Sequence, residues 1–544
     1  MRRAPDRTRD TDLRNHCHQL LGAQKGKCMT SSLECDVLVV GGGAGALTGA
    51  LTAATLGLDV ILAEKTEYLG GTAAYAGAGL WLPLNKVSAA AFADSREEVD
   101  AYVAATTDDT GFADLREAYL DAAPEMIDFL LQDRSLDFYW RAFPDYYPDA
   151  PGYKPQGRAI FPKPLPAFAL SGVMRMIRPE LPLIRGGHKI GKTVEGGRVL
   201  LGRLIQACMR AGVRIELESP LLELETREGT VVGARLGGRD GDMRVRARAG
   251  VLLAAGGFDH DIEMRKREGH PVEPGWQMGA PGSTGEVLAE ARRIGAGAEL
   301  LHEAWWTPAF HTPLGPSFRV RERGHPGSIV VNQDGRRFCN ESLPYDRIGR
   351  AFRAGVLDGT LTLPAWFIVD QSYVDRYGLN GVPPRAPVPE EWLAGGFAYR
   401  EDTLEKLASS LGIPADNFVE TVERFNKFAE TGVDEEFGRG DNAFDAFFGD
   451  PDVYPNPALS PLEKGPFYAL PMVLSDLGTK GGLRADPHAR VLDESGEPIT
   501  GLYAAGNIMA SWTGSCYPGP GAPIGSSMVF GYLAARHMVN RMAA

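Results

Sequence analysis

The segment that most limits what this chain can fold into is CDVLVVGGGAGALTGALTAATLGLDVILAEK, residues 35–65. It is nearly all apolar, as a membrane-spanning helix would be. Gly41, Gly42, Gly43, Gly45, Gly49 and Gly57 interrupt it, however, and Asp59 places a charge inside it. A strand, a tight turn, a helix and a second strand account for that pattern better. CDVLVV is a short β-branched run of the kind buried in a parallel sheet. Small and apolar residues then recur at helical spacing as far as Gly57, a good residue for ending a helix. LDVILAEK is the second strand.

The turn between them carries Gly-x-Gly-x-x-Ala at Gly41, Gly43 and Ala46, with Gly45 inside it. An acid, Glu64, closes the second strand 21 positions after Gly43. This is the arrangement of a dinucleotide-binding βαβ unit. Gly41 makes the tight turn, Gly43 lets backbone approach a pyrophosphate, and Ala46 keeps helix and strand close. The helix N-terminus offers unpaired N–H groups to the phosphates. Glu64 accepts from ribose hydroxyls, with Lys65 beside it in the same set.

A second glycine-rich loop follows at once, KTEYLGGTAAYAGAGLWLPLN. A nicotinamide dehydrogenase has no need of it, whereas FAD runs on past its pyrophosphate. Gly70, Gly71, Thr72, Gly77 and Gly79 then give close backbone approach to the ribityl chain and ring. The loop has no histidine, so the expected FAD is non-covalent. RAGVLLAAGGFDH reads as a further buried strand whose end, at Ala255 and Gly256, approaches the adenine or ribose side. GLYAAGN ends another short strand at Gly506 and Asn507, placed against the flavin.

With 544 residues the chain is too long for one ordinary core. The expected class is α/β, a discontinuous Rossmann-like FAD-binding domain with an inserted α+β domain. The expected division is an N-terminal extension over 1–31, FAD-binding segments over 32–305 and 474–544, and an inserted catalytic or substrate domain over 306–473. The inserted section is richer in aromatics and proline and has no dinucleotide pattern. The extension is polar, charged and expected to be disordered. Arg2-Arg3 lacks the apolar run of an export signal, and Met29 is a second candidate start.

A net charge of −13 argues against nucleic acid as a partner. None of the six cysteines falls in CxxC or zinc-site spacing. Free thiols and a cytoplasmic location are expected, with no transmembrane segment. Peripheral membrane association stays open.

A flavin needs positioning, charge stabilisation and proton removal from its protein. The ten histidines are isolated, with His302 and His311 the candidates. Tyrosines on proline-stiffened loops are better placed: Tyr146 in RAFPDYYPDAPG, Tyr345 after NESLP, and Tyr517 opening YPGPGAPIG. Each alone is as readily a packed aromatic. Phe143, Trp305 and Trp306 are candidates for an apolar pocket.

ECDVLVVGGGAGALTGALTAA, EKTEYLGGTAAYAGAGLWLP, RAFPDYYP, NESLPYDRIGRA, LSDLGTKGGL, GLYAAGN and YPGPGAPIG together resemble the 3-ketosteroid Δ1-dehydrogenases, in the fumarate-reductase-like flavoprotein group. The resemblance runs from about residue 33 to the end. It implies that the Tyr517 hydroxyl and Gly521 N–H hold the steroid C3 carbonyl. It implies further that Tyr345 removes the C2 proton, supported by a hydrogen bond from Tyr146, while hydride leaves C1 for flavin N5. The expected partners are a 3-ketosteroid and an electron acceptor, a quinone or redox carrier. Pro523 and Ile524 start a helix whose positive end faces the flavin. A Δ4-(5α)-dehydrogenase is the alternative. A fumarate reductase-like enzyme is a weaker one, since Thr479-Lys480-Gly481-Gly482 has no histidine where a dicarboxylate site expects one.

Overall fold

The computed structural model describes residues 31–107, 111–180, 191–239 and 241–543. The N-terminal extension, Cys17 and Cys28 lie outside the described residues. The apolar run of the opening segment becomes β1 (Ser31–Val40), α1 (Ala44–Thr55) and β2 (Val60–Ala63). The amphipathic GRVLLGRLIQACMR forms α2 (Gly196–Arg210), which leads into β3 (Arg214–Glu216). ETREGTVVGARL forms a hairpin of β4 (Leu221–Arg227) and β5 (Thr230–Leu236), followed by β6 (Met243–Leu253).

A second group of strands and one helix follow: β7 (Ala304–Thr312), β8 (Ser328–Val331), α3 (Tyr345–Asp358), β9 (Ala365–Asp370) and β10 (Phe467–Thr479). The chain ends with β11 (Arg490–Leu492), β12 (Pro498–Ala504) and α4 (Ala522–Ala543).

Two sheets organise these elements. The first runs β11-β12-β6-β1-β2-β3, with the β4–β5 hairpin joined to β6. Its centre is parallel, from β12 through β6, β1 and β2 to β3. Val37–Val40 and Val60–Ala63 are buried on both faces, which explains their continuous apolar runs. The C-terminal β12 pairs with β6, so one sheet draws on both ends of the chain. The second sheet is antiparallel, ordered 315–317, β7, β10, β9, β8, with 399–401 also paired to β10. The expected divisions at 305/306 and 473/474 fall inside β7 and β10.

Helices α1 and α4 cross at backbone contact. A Cβ on Gly45 would lie 2.5 Å from the Ser527 carbonyl oxygen, and one on Gly531 would lie 2.3 Å from that of Gly45. Gly45 therefore shapes the helix crossing and brings both helix N-termini to one edge of the parallel sheet. Among the described residues no helix is long and apolar enough to cross a membrane.

Candidate active site

The first turn of α1 is built to receive a ligand. Gly41 has φ +115°, and a Cβ there would lie 2.3 Å from the Ala254 carbonyl oxygen, so only glycine fits this turn. Gly43, the N-cap residue, uses no side chain to cap the helix, and a Cβ there would meet nothing within 4 Å. The turn therefore presents free amides beside open space at a positive helix end. Gly71 and Gly77 are open in the same way, whereas Gly70 is packed on Leu201 and holds the Gly42 carbonyl through its own N–H at 2.7 Å. Thr72 has its hydroxyl taken by the Ala280 N–H at 2.9 Å.

Glu64 is buried beside the same turn, one oxygen held by the N–H (2.9 Å) and hydroxyl (2.7 Å) of Thr66. Burial raises its pKa against those bonds and the nearby Arg178 and Lys65. Lys65 itself is paired with Glu286 and donates to Thr284 at 2.7 Å. Gly256 (φ +81°) approaches Ser283, with Ala255 half-buried next to it. Gly506 approaches Ser527, whose hydroxyl donates to the Pro523 carbonyl at 2.7 Å. Ile524 is half-buried in the first turn of α4. A small cleft lies against Gly506, Asn507, Pro523, Ser527, Trp305 and Lys480. Glycine cradle, uncapped helix end and buried acid fit a dinucleotide cofactor.

The structure brings the three tyrosines together from three parts of the chain. Tyr345 opens α3, which lies directly on β7: a Cβ on Gly349 would be 2.6 Å from the backbone of Trp306. The loop before Tyr345 is fixed by Glu341, which is paired with Arg337 (2.8 Å) and Arg439 (3.2 Å), all three side chains fully buried. Tyr146 is held by its backbone N–H, which donates to the Pro518 carbonyl and to the Tyr102 hydroxyl, both at 3.1 Å. The Tyr102 hydroxyl in turn donates to Pro518 at 2.6 Å. Next door, Asp145 accepts from the Trp81 indole at 2.8 Å and pairs with Arg158 at 2.5 Å. Gly521, at φ +87°, rests on Gly79, with 1.8 Å between a hypothetical Cβ and the Gly79 carbonyl oxygen.

The rings of Tyr146, Tyr345 and Tyr517 lie 5.2–5.3 Å apart. The Tyr345 hydroxyl donates to that of Tyr517 at 2.6 Å. Tyr345 meets Tyr517 edge-on at 85° and Tyr146 at 76°. Tyr146 and Tyr345 also act on each other: a hydrogen bond between them lowers the Tyr146 pKa and raises that of Tyr345. Burial pushes all three phenols well above the usual tyrosine range, and their mutual repulsion as anions adds to it. The Gly521 amide acts on Tyr517 in the opposite sense, by hydrogen bonding to its oxygen.

The aromatic candidates divide. Trp305 packs its ring 5.0 Å from Tyr517. Trp306, the next residue on β7, points to the other face and is buried against His270 and Arg265. Phe143 lies 6.3 Å from Tyr146 and lines a separate small cleft with Tyr345, Phe444 and Phe448. His311 faces Phe397, and His302 is exposed near Glu303. Sequence reasoning passed over the supports: Tyr102, Trp81, Asp145 and Arg158 behind Tyr146, and Lys480 behind Tyr517. A lysine flanked by Thr479 and two glycines, directly after a long apolar strand, was the available signal for the last.

Residues 36–524 match the FAD binding domain family. The 3-oxosteroid 1-dehydrogenase of Mycolicibacterium smegmatis is 40% identical over 94% of this chain and 98% of its own length. The 4-oxocyclohexanecarboxylate 2-dehydrogenase of Sinomonas cyclohexanicum is 36% identical over 93% of each chain. A crystal structure of 3-ketosteroid Δ1-dehydrogenase from Sterolibacterium denitrificans, in complex with 1,4-androstadiene-3,17-dione, superposes with a TM-score of 0.88 and 34% identity. The match covers 93% of this chain and 100% of that one.

Proposed function

We infer that this chain, which belongs to the FAD-binding family of the 3-oxosteroid 1-dehydrogenases, converts a 4-en-3-one steroid into the 1,4-dien-3-one by removing hydrogen from C1 and C2. The observation that carries the reading is the convergence of Tyr345, Tyr517 and Gly521 on one point, reached from α3 and from the turn before α4. Bound FAD supplies the chemistry of hydride acceptance from C1.

The chain's own groups do the rest. The Tyr517 hydroxyl and Gly521 N–H donate to the C3 carbonyl oxygen and stabilise the charge that develops there, as an oxyanion hole does. That acidifies C2–H, and the Tyr345 oxygen takes the C2 proton. Burial opposes a standing phenolate, which favours a concerted transfer in which Tyr345 passes its own proton on as the C2 proton arrives. Tyr146, packed edge-on against Tyr345, takes that proton as it releases its own toward solvent.

The glycines at 41, 43, 70, 71, 77 and 79, with Glu64, Lys65 and Thr72, form the near side of the cofactor site. Ala255, Gly256, Gly506, Asn507, Pro523 and Ile524 close it. Residues 32–305 and 474–544 hold the cofactor and also bring Tyr146, Tyr517 and Gly521 to the substrate, to which 306–473 contributes Tyr345. With no histidine or cysteine between residues 64 and 85, the FAD is held non-covalently. The natural acceptor is a quinone or a redox carrier, and the chain works in the cytoplasm or on a membrane surface.

The test is anaerobic bleaching of the bound flavin by a panel of 4-en-3-one steroids and by 4-oxocyclohexanecarboxylate, with products identified. Production of the 1,4-dien-3-one is expected. Its absence, with bleaching by the small ketoacid alone, overturns the steroid reading.

A further inference from the structure

An ammonium is buried directly behind Tyr517. Lys480 is 1% exposed, and its Nζ donates to the carbonyl of Cys516, the residue before Tyr517. The same Nζ stands 4.2 Å from the centre of the Trp305 ring. Trp305 packs on Tyr517 and donates its indole N–H to the Asn507 amide oxygen at 3.2 Å. Lys480, Trp305 and Asn507 all line the cleft beside Gly506 and Pro523. One side chain thus touches the tyrosine turn and walls the cofactor side.

Burying a charge is unfavourable unless something answers it. The charged groups facing Lys480 are Asp346, Arg350 and Glu303. Arg350 already bridges the two carboxylates, at 3.1 Å to each. The nearest groups to the Lys480 ammonium are a carbonyl and an indole face, which hold a cation without neutralising it. Burial lowers its pKa to about 8, against the pull of the two carboxylates, so the charge persists at neutral pH. The position immediately follows Thr479, whose N–H is held by Asp259 at 2.7 Å, so the backbone carrying it is fixed.

We propose that Lys480 is a positioning residue and a charge source shared by both halves of the site: its ammonium fixes the Cys516–Tyr517 turn and stabilises the negative charge that bound FAD takes up on reduction. The proposal rests on the FAD-dependent dehydrogenase reading above.

The test uses the FAD-loaded full chain with Lys480→Met, Lys480→Gln and Lys480→Arg. The midpoint potential of the bound flavin is measured against a reference dye, alongside the FAD dissociation constant, kcat and KM. Met and Gln are expected to make flavin reduction less favourable by about tenfold, the scale for removing a unit charge from a partly screened site. They are also expected to lower kcat more than they raise KM, while Arg stays close to the parent on both measures. An unchanged potential in the Met or Gln variant, with only a lower melting temperature, overturns the proposal. So does an Arg variant as impaired as Gln. If Met does not fold, the Gln–Arg comparison decides. Bleaching of the parent by a 3-ketosteroid separates the two readings. A parent that no steroid bleaches, with variants that still shift the potential, removes the substrate assignment and leaves the role of Lys480 standing.

Discussion

The hydroxyls of Tyr345 and Tyr517 meet at 2.6 Å although the residues stand 172 positions apart. One opens a helix lying on the antiparallel sheet, and the other sits in the turn before the last helix of the parallel-sheet half. The pair is thus a joint between the two halves, and each phenol has a distinct task that substitution separates. Tyr345→Phe is expected to slow anaerobic flavin reduction by about 10²–10⁴-fold, the range for loss of a positioned acid–base group. Tyr517→Phe removes one donor to the carbonyl oxygen and is expected to cost about 10²–10³-fold. Both variants should retain the flavin spectrum. Stopped-flow bleaching checks the rates, and unchanged rates in Tyr345→Phe would remove it as the base.

Gly41 and Gly43 sit two residues apart and should fail differently. A methyl on Gly41 strikes the Ala254 carbonyl, whereas a Cβ on Gly43 meets no protein atom within 4 Å. Gly43→Leu is therefore expected to leave the melting temperature of the apoprotein within a degree or two while weakening FAD binding at least tenfold. Gly41→Ala should lower the melting temperature itself. Calorimetry of the apoproteins and FAD titration distinguish the two.

Asp145 and Arg158 form a fully buried pair, and the burial of Asp145 raises its pKa to about 6 despite the guanidinium. Arg158→Met would leave the Asp145 carboxylate without its cation and leave Asp94 with Lys154 alone, at 3.8 Å. The expected loss is about 3–5 kcal/mol of folding free energy, measured by denaturant unfolding of the holoprotein. Because Asp145 precedes Tyr146 and holds the Trp81 indole, turnover should fall as well.

Acid should destabilise the fold through His270. Burial, reinforced by Arg265, lowers its pKa to about 4, and the ring is 4% exposed. In the unfolded chain a histidine titrates near 6.5. Between those values the unfolded state binds a proton that the folded state does not, so stability from this group is present above pH 6.5 and declines as pH falls toward 4. His325, whose pKa is also lowered to about 4 by burial, acts in the same direction. His270→Gln is expected to flatten the melting-temperature profile over that window.

Local patterns carried the βαβ unit, because apolar run, glycine turn and closing acid are all fixed by neighbours in sequence. The β4–β5 hairpin and the helix of GRVLLGRLIQACMR were legible for the same reason. The partner of Tyr345 was not. It depends on an 85° ring angle set by the seating of α3 on β7 at Gly349, and no local pattern encodes that. Trp305 and Trp306 were read alike because both are large and apolar. Strand alternation sends one to the site and the other to the core, and only the position of β7 in the sheet says which. Lys480 was read for the histidine it is not, since nothing in a one-dimensional pattern marks a lysine as enclosed.

The pairing of β12 with β6 has a consequence for how the molecule comes into being. Strands β1, β2, β3 and β6 are all made before residue 254, yet β12, Gly506, Asn507 and α4 follow only from residue 498 onward. Until those emerge, β6 has an unpaired edge where β12 will lie, and the glycine faces of α1 have no helix to meet. Cofactor loading must therefore wait until β12 and α4 have been made and have docked. A chain truncated anywhere before residue 498 would expose that edge permanently, and its fate would be association with other chains or proteolysis rather than a weakened enzyme.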